Sequence, residues 1–205
     1  MKNTRLKQTD NTMIAPIGED QNNAPADRSD HVDRYEPRSL DTPLIDWVRH
    51  YRSMGWVPIP IHDISAGHCS CKSNLVCRSQ GKHPRVMRSD AIEATEETWR
   101  RWIRAWPNMN IGVLTGSESG IFAIDIDPRH RGDVSITELT QQFGTLPRTL
   151  TAATGGGGCH LVYQIPSRET VKSTANVIAN GVDVRGEGGI IVVEPSKTSG
   201  DYKWL

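Results

Sequence analysis

The sequence predicts an α+β fold. Helix-spaced apolar stretches alternate with short β-rich stretches early in the globular part. Strands separated by glycine-rich turns then dominate, and no internal repeat interrupts the progression.

Each element follows from local chemistry. Residues 1–40 are polar, rich in Asn, Asp, Arg and Lys and nearly free of aromatics. They bury too little apolar surface to offset ordering entropy and are expected to form a disordered tail. The folded domain is expected over 41–205. Leu44, Ile45, Val48 and Tyr51 follow helical spacing, and Gly55 ends that helix. "WVPIPI" reads as an edge strand, because Pro58 and Pro60 lack the N–H a central strand needs. A polar Gly- and Cys-containing insert spans about 62–88. "TEETWRRWIRAWP" is the clearest helix: Thr95 caps it, Glu96 and Glu97 suit its positive end, and Pro107 closes it. Trp99, Trp102, Ile103 and Trp106 form its core face; Arg100, Arg101 and Arg104 belong to the solvated side.

"NIGVLTG" and "IFAIDID" read as neighbouring strands. "SITELTQQF" reads as a short helix with a capping box of Ser135 and Glu138. "RTLTAAT", "HLVYQI", "GVDVRG" and "GIIVVEPS" are further strands.

Composition excludes several functions. The formal net charge is zero, so a nucleic-acid site has to be a local patch. No run of 18 apolar residues exists for a membrane span, and the N-terminus lacks a signal-peptide core, so a cytoplasmic location without a membrane partner is expected. Three of the four cysteines fall within nine residues, beside histidines, which favours metal over disulfides.

Three stretches carry candidate chemistry. Asp125 and Asp127 lie two apart in a strand pattern and share a face. Like charges so placed repel unless a cation sits between them, and a hard divalent ion such as magnesium or manganese is the usual solution. A strand end with exposed aspartates satisfies the same residues. The second stretch, "TGGGGCH", joins Thr154, Gly155, Gly156, Gly157 and Gly158 to His160. Such a turn brings amides near an anion, although no P-loop Lys-Ser/Thr follows and a flexible turn is the alternative. The third places Asp183 and Arg185 on one face of a late strand, where a structural ion pair is the alternative. Separately, Cys69, Cys71, Cys77 and His83 make a soft Cys₃His set suited to zinc, with His68 as a fifth candidate.

Taken in order, these stretches resemble the archaeo-eukaryotic primase superfamily. They resemble most closely the bifunctional primase–polymerase (prim-pol) domain of plasmid, phage and prophage replication proteins. "GWVPIPI", "GKHP", "WPNMNIGVLTG", "DIDPRHRGD", "LPRTLTAATGGGGCH", "GVDVRGEGGIIVVEPS" and "YKWL" each match a family segment over about 42–205. The resemblance implies a primase-like core with an RNA-recognition-motif-like sheet and a zinc-binding insert. It implies a nucleotidyltransferase that synthesises and extends primers on a DNA template from nucleoside triphosphates. Asp125, Asp127 and Asp183 match the carboxylates that bind two catalytic Mg2+ or Mn2+ ions; His160 matches the histidine that contacts the incoming triphosphate. Lys82 stands where the family keeps a lysine for template or nucleotide. Where members often carry Arg or Lys before the histidine, this chain has Cys159, and Arg185 is the substitute cation considered. A structural zinc and a replicative helicase domain or protein as partner are also implied. Two other classes remain: a metal-dependent nuclease or phosphohydrolase, and a non-catalytic nucleic-acid-binding module.

Overall fold

The computed structural model describes residues 42–205, so the expected disordered tail lies outside the described residues. Helix α1 (Leu44–Ser53) buries Trp47, Val48 and Tyr51. Leu44 and Ile45, assigned by spacing to the same face, are only partly buried; Trp47 takes the central place. Strand β1 (Pro58–Ile61) follows. The cysteine-rich insert opens with a small hairpin of β2 (Ile64–Ser65) and β3 (His68–Cys69), then a single 3₁₀ turn at Asn74–Val76. A short helix α2 (Arg88–Ile92), without a sequence signature strong enough to predict it, precedes α3 (Glu96–Ala105). The Thr95 hydroxyl accepts from the Thr98 N–H, as the capping argument requires, and Trp99 and Trp102 are buried.

Strands β4 (Asn110–Leu114) and β5 (Ile121–Ile126) do not pair as neighbours. They enter different sheets and touch only through an isolated bridge between Gly116 and Ile121. Two adjacent apolar strands carry no local signal of which partner each will take, and that is where the sequence reading failed. Helix α4 (Gly132–Phe143) starts three residues before Ser135, which is buried inside it and caps nothing. A 3₁₀ turn at Pro128–His130 and a left-handed Arg131 lead into it.

The remaining strands are β6 (Leu150–Ala153), β7 (Cys159–Gln164), β8 (Thr174–Ala179), β9 (Val182–Arg185), β10 (Ile190–Val193) and β11 (Lys203–Trp204). The largely exposed β8 was not foreseen. One sheet has the order β1–β4–β10 and the other β11–β6–β7–β5–β9–β8. Every strand pairing in them is antiparallel, so the α+β expectation holds. β1 does lie on an edge, and its outer side is covered: the Arg85 N–H donates to the Pro60 carbonyl at 2.9 Å, and His62 N–H to His83 at 2.9 Å.

An aromatic core joins the chain's two described ends. Tyr51 stacks on Trp56 at 5.9 Å, Trp204 lies 5.9 Å from Trp56, and the Trp204 indole donates to the Tyr51 hydroxyl at 3.0 Å. β11 therefore closes the core as well as extending the larger sheet. Asp63, Arg85 and Ser70 brace the insert against β1: Arg85 pairs with Asp63 and donates to Ser70 at 2.6 Å and to the Ile61 carbonyl at 3.3 Å.

Candidate functional site

The antiparallel register sets the site. Asp125 on β5 lies opposite His160 on β7 and Asp183 on β9, so the central strand carries a carboxylate flanked on both sides. Asp127 falls one residue beyond β5 and begins the 3₁₀ turn, accepting the Arg129 N–H at 3.0 Å. Asp125 and Asp127 nevertheless line one cavity of about 290 Å3 with Arg78, Ser79, Lys82, Arg129, Thr154, His160, Arg185 and Tyr202. Asp183 and the four glycines stand outside that lining.

Each carboxylate already faces a cation of the chain itself. Arg129 grips Asp127 bidentately, Nε to Oδ1 at 2.9 Å and an Nη to Oδ2 at 2.8 Å, with His130 at 3.0 Å from Oδ2. The Arg129 contact holds the Asp127 carboxyl far below the usual carboxylate range. Arg185 bridges the other two aspartates, 3.0 Å from Asp125 and 2.9 Å from Asp183. The other Asp183 oxygen accepts the Asn176 N–H at 2.9 Å. The repulsion argued from spacing is thus compensated by arginines before any metal binds. Removing Asp127 would leave Arg129 without its carboxylate, while Arg185 would keep one aspartate if the other were lost; with the repulsion already compensated, the stability gain that repulsion alone suggests does not follow.

His160 is buried, with Nε2 3.5 Å from the Asp125 carboxylate. Burial pushes its imidazole below the ordinary value against the pull of Asp125, and Arg185 and Lys82 push the same way. It is a neutral hydrogen-bonding group at pH 7, and its buried Nδ1 has no protein partner. Lys82 is held below the ordinary lysine value by desolvation and by Arg129, against Asp125 and Asp127, which places its ammonium in the same field.

The glycine turn is tighter than an anion cradle requires. Gly157 N–H donates to the Thr154 carbonyl at 3.0 Å and Gly158 N–H to the Thr154 hydroxyl at 3.2 Å. Gly158 has no room for a Cβ because the Ile126 carbonyl abuts it, and Gly155 packs in the same way on Gly200. Close approach to neighbouring backbone, the end of β5 for Gly158 and Gly200 for Gly155, explains glycine at these two positions better than phosphate contact does. Gly156 is different: a Cβ there would meet the Arg129 guanidinium at 3.0 Å.

Arg129 is therefore the cation beside the glycine turn. Sequence reasoning quoted its motif but assigned it no role, and considered Arg185 instead. Its position directly after Asp127-Pro128 was the available signal. Cys159, directly before His160, is half-buried, and burial pushes its thiol up and keeps it neutral. Arg78, Ser79 and Tyr202 were also missed, because they reach the cavity from distant segments.

Among the described residues, one group brings metal-ligating atoms within 4.8 Å of one another: Cys69, Cys71, Cys77 and His83. The His83 Nε2 lies 3.3 Å from Cys69 Sγ and 3.5 Å from Cys77 Sγ. Burial would raise Cys71, but hydrogen bonds from Cys69, the Ser73 and Asn74 backbone and His83 outweigh it and bring the thiol to about 6. A ready thiolate in a compact sulfur–nitrogen set fits zinc. His68, next to Cys69 on β3, stays outside the group, since successive strand side chains point to opposite faces. Asp125 and Asp127 offer hard oxygen donors on a polar cavity and fit magnesium or manganese.

No helix among the described residues is long and apolar enough to cross a membrane. A family model described as bifunctional DNA primase/polymerase, N-terminal, matches residues 48–205. No curated protein matches the chain.

Proposed function

The chain belongs to the family of bifunctional DNA primase/polymerase N-terminal domains, and from that premise we propose that it is a template-directed primase–polymerase, using nucleoside triphosphates to start and extend primers. One observation carries the reading. The cavity sets two carboxylates against four cations, Arg78, Lys82, Arg129 and Arg185. Carboxylates suit divalent ions; the surplus cations suit a polyphosphate. A water-activating nuclease needs the first set and has less use for so many of the second, which ranks that reading below.

Asp125 and Asp127 hold the divalent ions in this reading, with Asp183 completing the set from β9. When bound, such ions supply Lewis acidity at the attacking 3′-hydroxyl and at the departing pyrophosphate. Arg129 and Arg185 then have phosphates to neutralise in place of their carboxylates. Neutral His160 donates a hydrogen bond to a phosphate oxygen without adding charge. Thr154 lines the triphosphate's path, Gly156 gives Arg129 room beside it, and Gly155, Gly157 and Gly158 keep the turn in place. Lys82 serves phosphate or template. The sheet centred on β5 is the RNA-recognition-motif-like part of this core, and the cysteine-rich insert is its zinc-binding appendage. A replicative helicase domain or protein remains the proposed partner.

The test is template-directed extension with labelled nucleotides. Asp125→Asn and Asp127→Asn keep side-chain shape and remove charge; both should lose synthesis while retaining the near-ultraviolet signal of the tryptophan core. Near-normal synthesis by either variant would refute the assignment.

A further inference from the structure

The Cys₃His cluster and the cavity are not separate features. Two of the cluster's members, Cys77 and His83, bracket a short loop, and Arg78, Ser79 and Lys82 of that loop line the cavity together with Asp125 and Asp127. We propose that this loop is a triphosphate-binding wall whose geometry is set by the metal: Arg78 and Ser79 contact the triphosphate, and the ion held by Cys69, Cys71, Cys77 and His83 fixes where they stand. The inference rests on the primase–polymerase reading and adds to it a second role for the insert, beyond folding itself.

The loop has little else to hold it. None of residues 70–80 is buried, and Leu75 and Val76 are 70% and 81% exposed. The backbone N–H groups of Asn74, Val76 and Cys77 donate only within the loop, to Cys71, Ser73 and Asn74. A segment without apolar burial cannot offset the entropy of ordering its backbone, so a cross-link has to supply the constraint. The anchorage is also unequal along the loop. Gly81 is buried and its carbonyl accepts from the Asn110 side chain at 3.0 Å, and Asn110 in turn holds Lys197 through its Oδ1 at 2.9 Å. Lys82 and His83 thus stay tied to β4 through Gly81. Arg78 lies on the far side of that anchor and depends on Cys77, while Ser79 keeps one tie to it, its carbonyl accepting the Lys82 N–H at 3.1 Å. Loss of metal should therefore free Arg78 above all, loosen Ser79 less, and leave Lys82 nearly in place.

The charges suit such a wall. Arg185 approaches the cavity from β9 and Arg129 from the 3₁₀ turn after β5, each paired with an aspartate. Arg78 and Lys82 approach from the insert, so an anion entering between them is gripped from two sides. A guanidinium presents a planar fork matched to phosphate oxygens, which gives Arg78 the stronger directional contact.

The experiment measures affinity for a non-hydrolysable α,β-imido deoxynucleoside triphosphate and for inorganic tripolyphosphate, alongside zinc content, in the full chain. Arg78→Ala should keep its zinc and bind both probes on the order of tenfold more weakly, the loss of one charge-assisted hydrogen bond. Cys77→Ser should lose zinc and show a similar loss for both probes. The double variant should be no weaker than Cys77→Ser alone, since a loop no longer positioned has no Arg78 contact to lose. Lys82→Ala should weaken binding further in the Cys77→Ser background, because Gly81 still anchors it. Should Cys77→Ser shed its zinc yet bind both probes as the parent does, the metal does not position the wall. Should Arg78→Ala lose the nucleotide but not tripolyphosphate, the phosphate assignment fails. A parent protein that binds neither probe overturns the primase–polymerase reading itself, and the wall with it.

Discussion

Replacing Arg129 by Met separates the two roles its position implies. Met keeps the unbranched apolar stem of the side chain and removes the charged guanidinium. In the folded protein Arg129 makes a bidentate pair with Asp127, at 2.8 and 2.9 Å, but its side chain is 55% exposed. An ion pair so solvated contributes at most about 1 kcal/mol to stability, so unfolding by urea should move little. Binding should move in opposite directions. Freed of its arginine, Asp127 has a divalent ion to gain without a competitor to displace, and about 1 kcal/mol corresponds to roughly fivefold tighter manganese binding. The triphosphate loses a charged donor worth about 1.5–3 kcal/mol, on the order of ten- to a hundredfold in affinity. Isothermal titration with manganese alone, and with a non-hydrolysable nucleotide in its presence, reads both. Two affinities that shift in the same direction, or that do not shift, would refute the view that Arg129 exchanges a carboxylate for a phosphate.

Two further outcomes follow from burial. His160 has its folded value pushed below the ordinary histidine value, so the unfolded chain binds the extra proton first as pH falls. Its contribution to stability is complete above about 6.5 and is lost progressively as pH falls below that. His160→Gln should flatten the loss of stability between pH 7.5 and 5.5 in urea unfolding, and an unchanged slope would assign that loss to other groups. Asp63→Ala should destabilise the domain by about 3–5 kcal/mol, because Arg85, only 9% exposed, is left without its carboxylate. The value should fall toward the lower end, since the Ile61 carbonyl and Ser70 still accept from Arg85; a change under about 1 kcal/mol would show the brace to be dispensable.

Much of this protein was legible along the chain. Periodicity marked α1, α3 and the strands bearing Asp125, His160 and Asp183, because helical and strand spacing are local properties of consecutive residues. Pro58 and Pro60 put β1 on an edge because a proline donates no hydrogen bond wherever it falls. The four-residue soft ligand set was visible in the insert for the same reason: its donors lie within fifteen positions, and its chemistry belongs to the residue types. Capping chemistry located α3 but misplaced the start of α4, where a left-handed Arg131 and a preceding 3₁₀ turn overrode the Ser135 signal. The exposed strand β8 and the short helix α2 gave no periodic signal long enough to read.

What only the tertiary structure decided is partnership. Strand order put β5 between β7 and β9 and sent β4 to another sheet, and no local feature of two apolar strands encodes that choice. The same order placed Arg185 between Asp125 and Asp183, and the turn after β5 brought Arg129 back over Asp127 and against Gly156. It also brought Arg78 from the insert and Tyr202 from beside the last strand to one cavity. The residue types carry the chemistry, so the aspartates, the histidine and the cysteines could be nominated from sequence. The pairing of Arg185 with Asp125, and the approach of Arg78 and Tyr202, depend on distances of a few ångströms between segments far apart in the chain, and tertiary packing sets those distances.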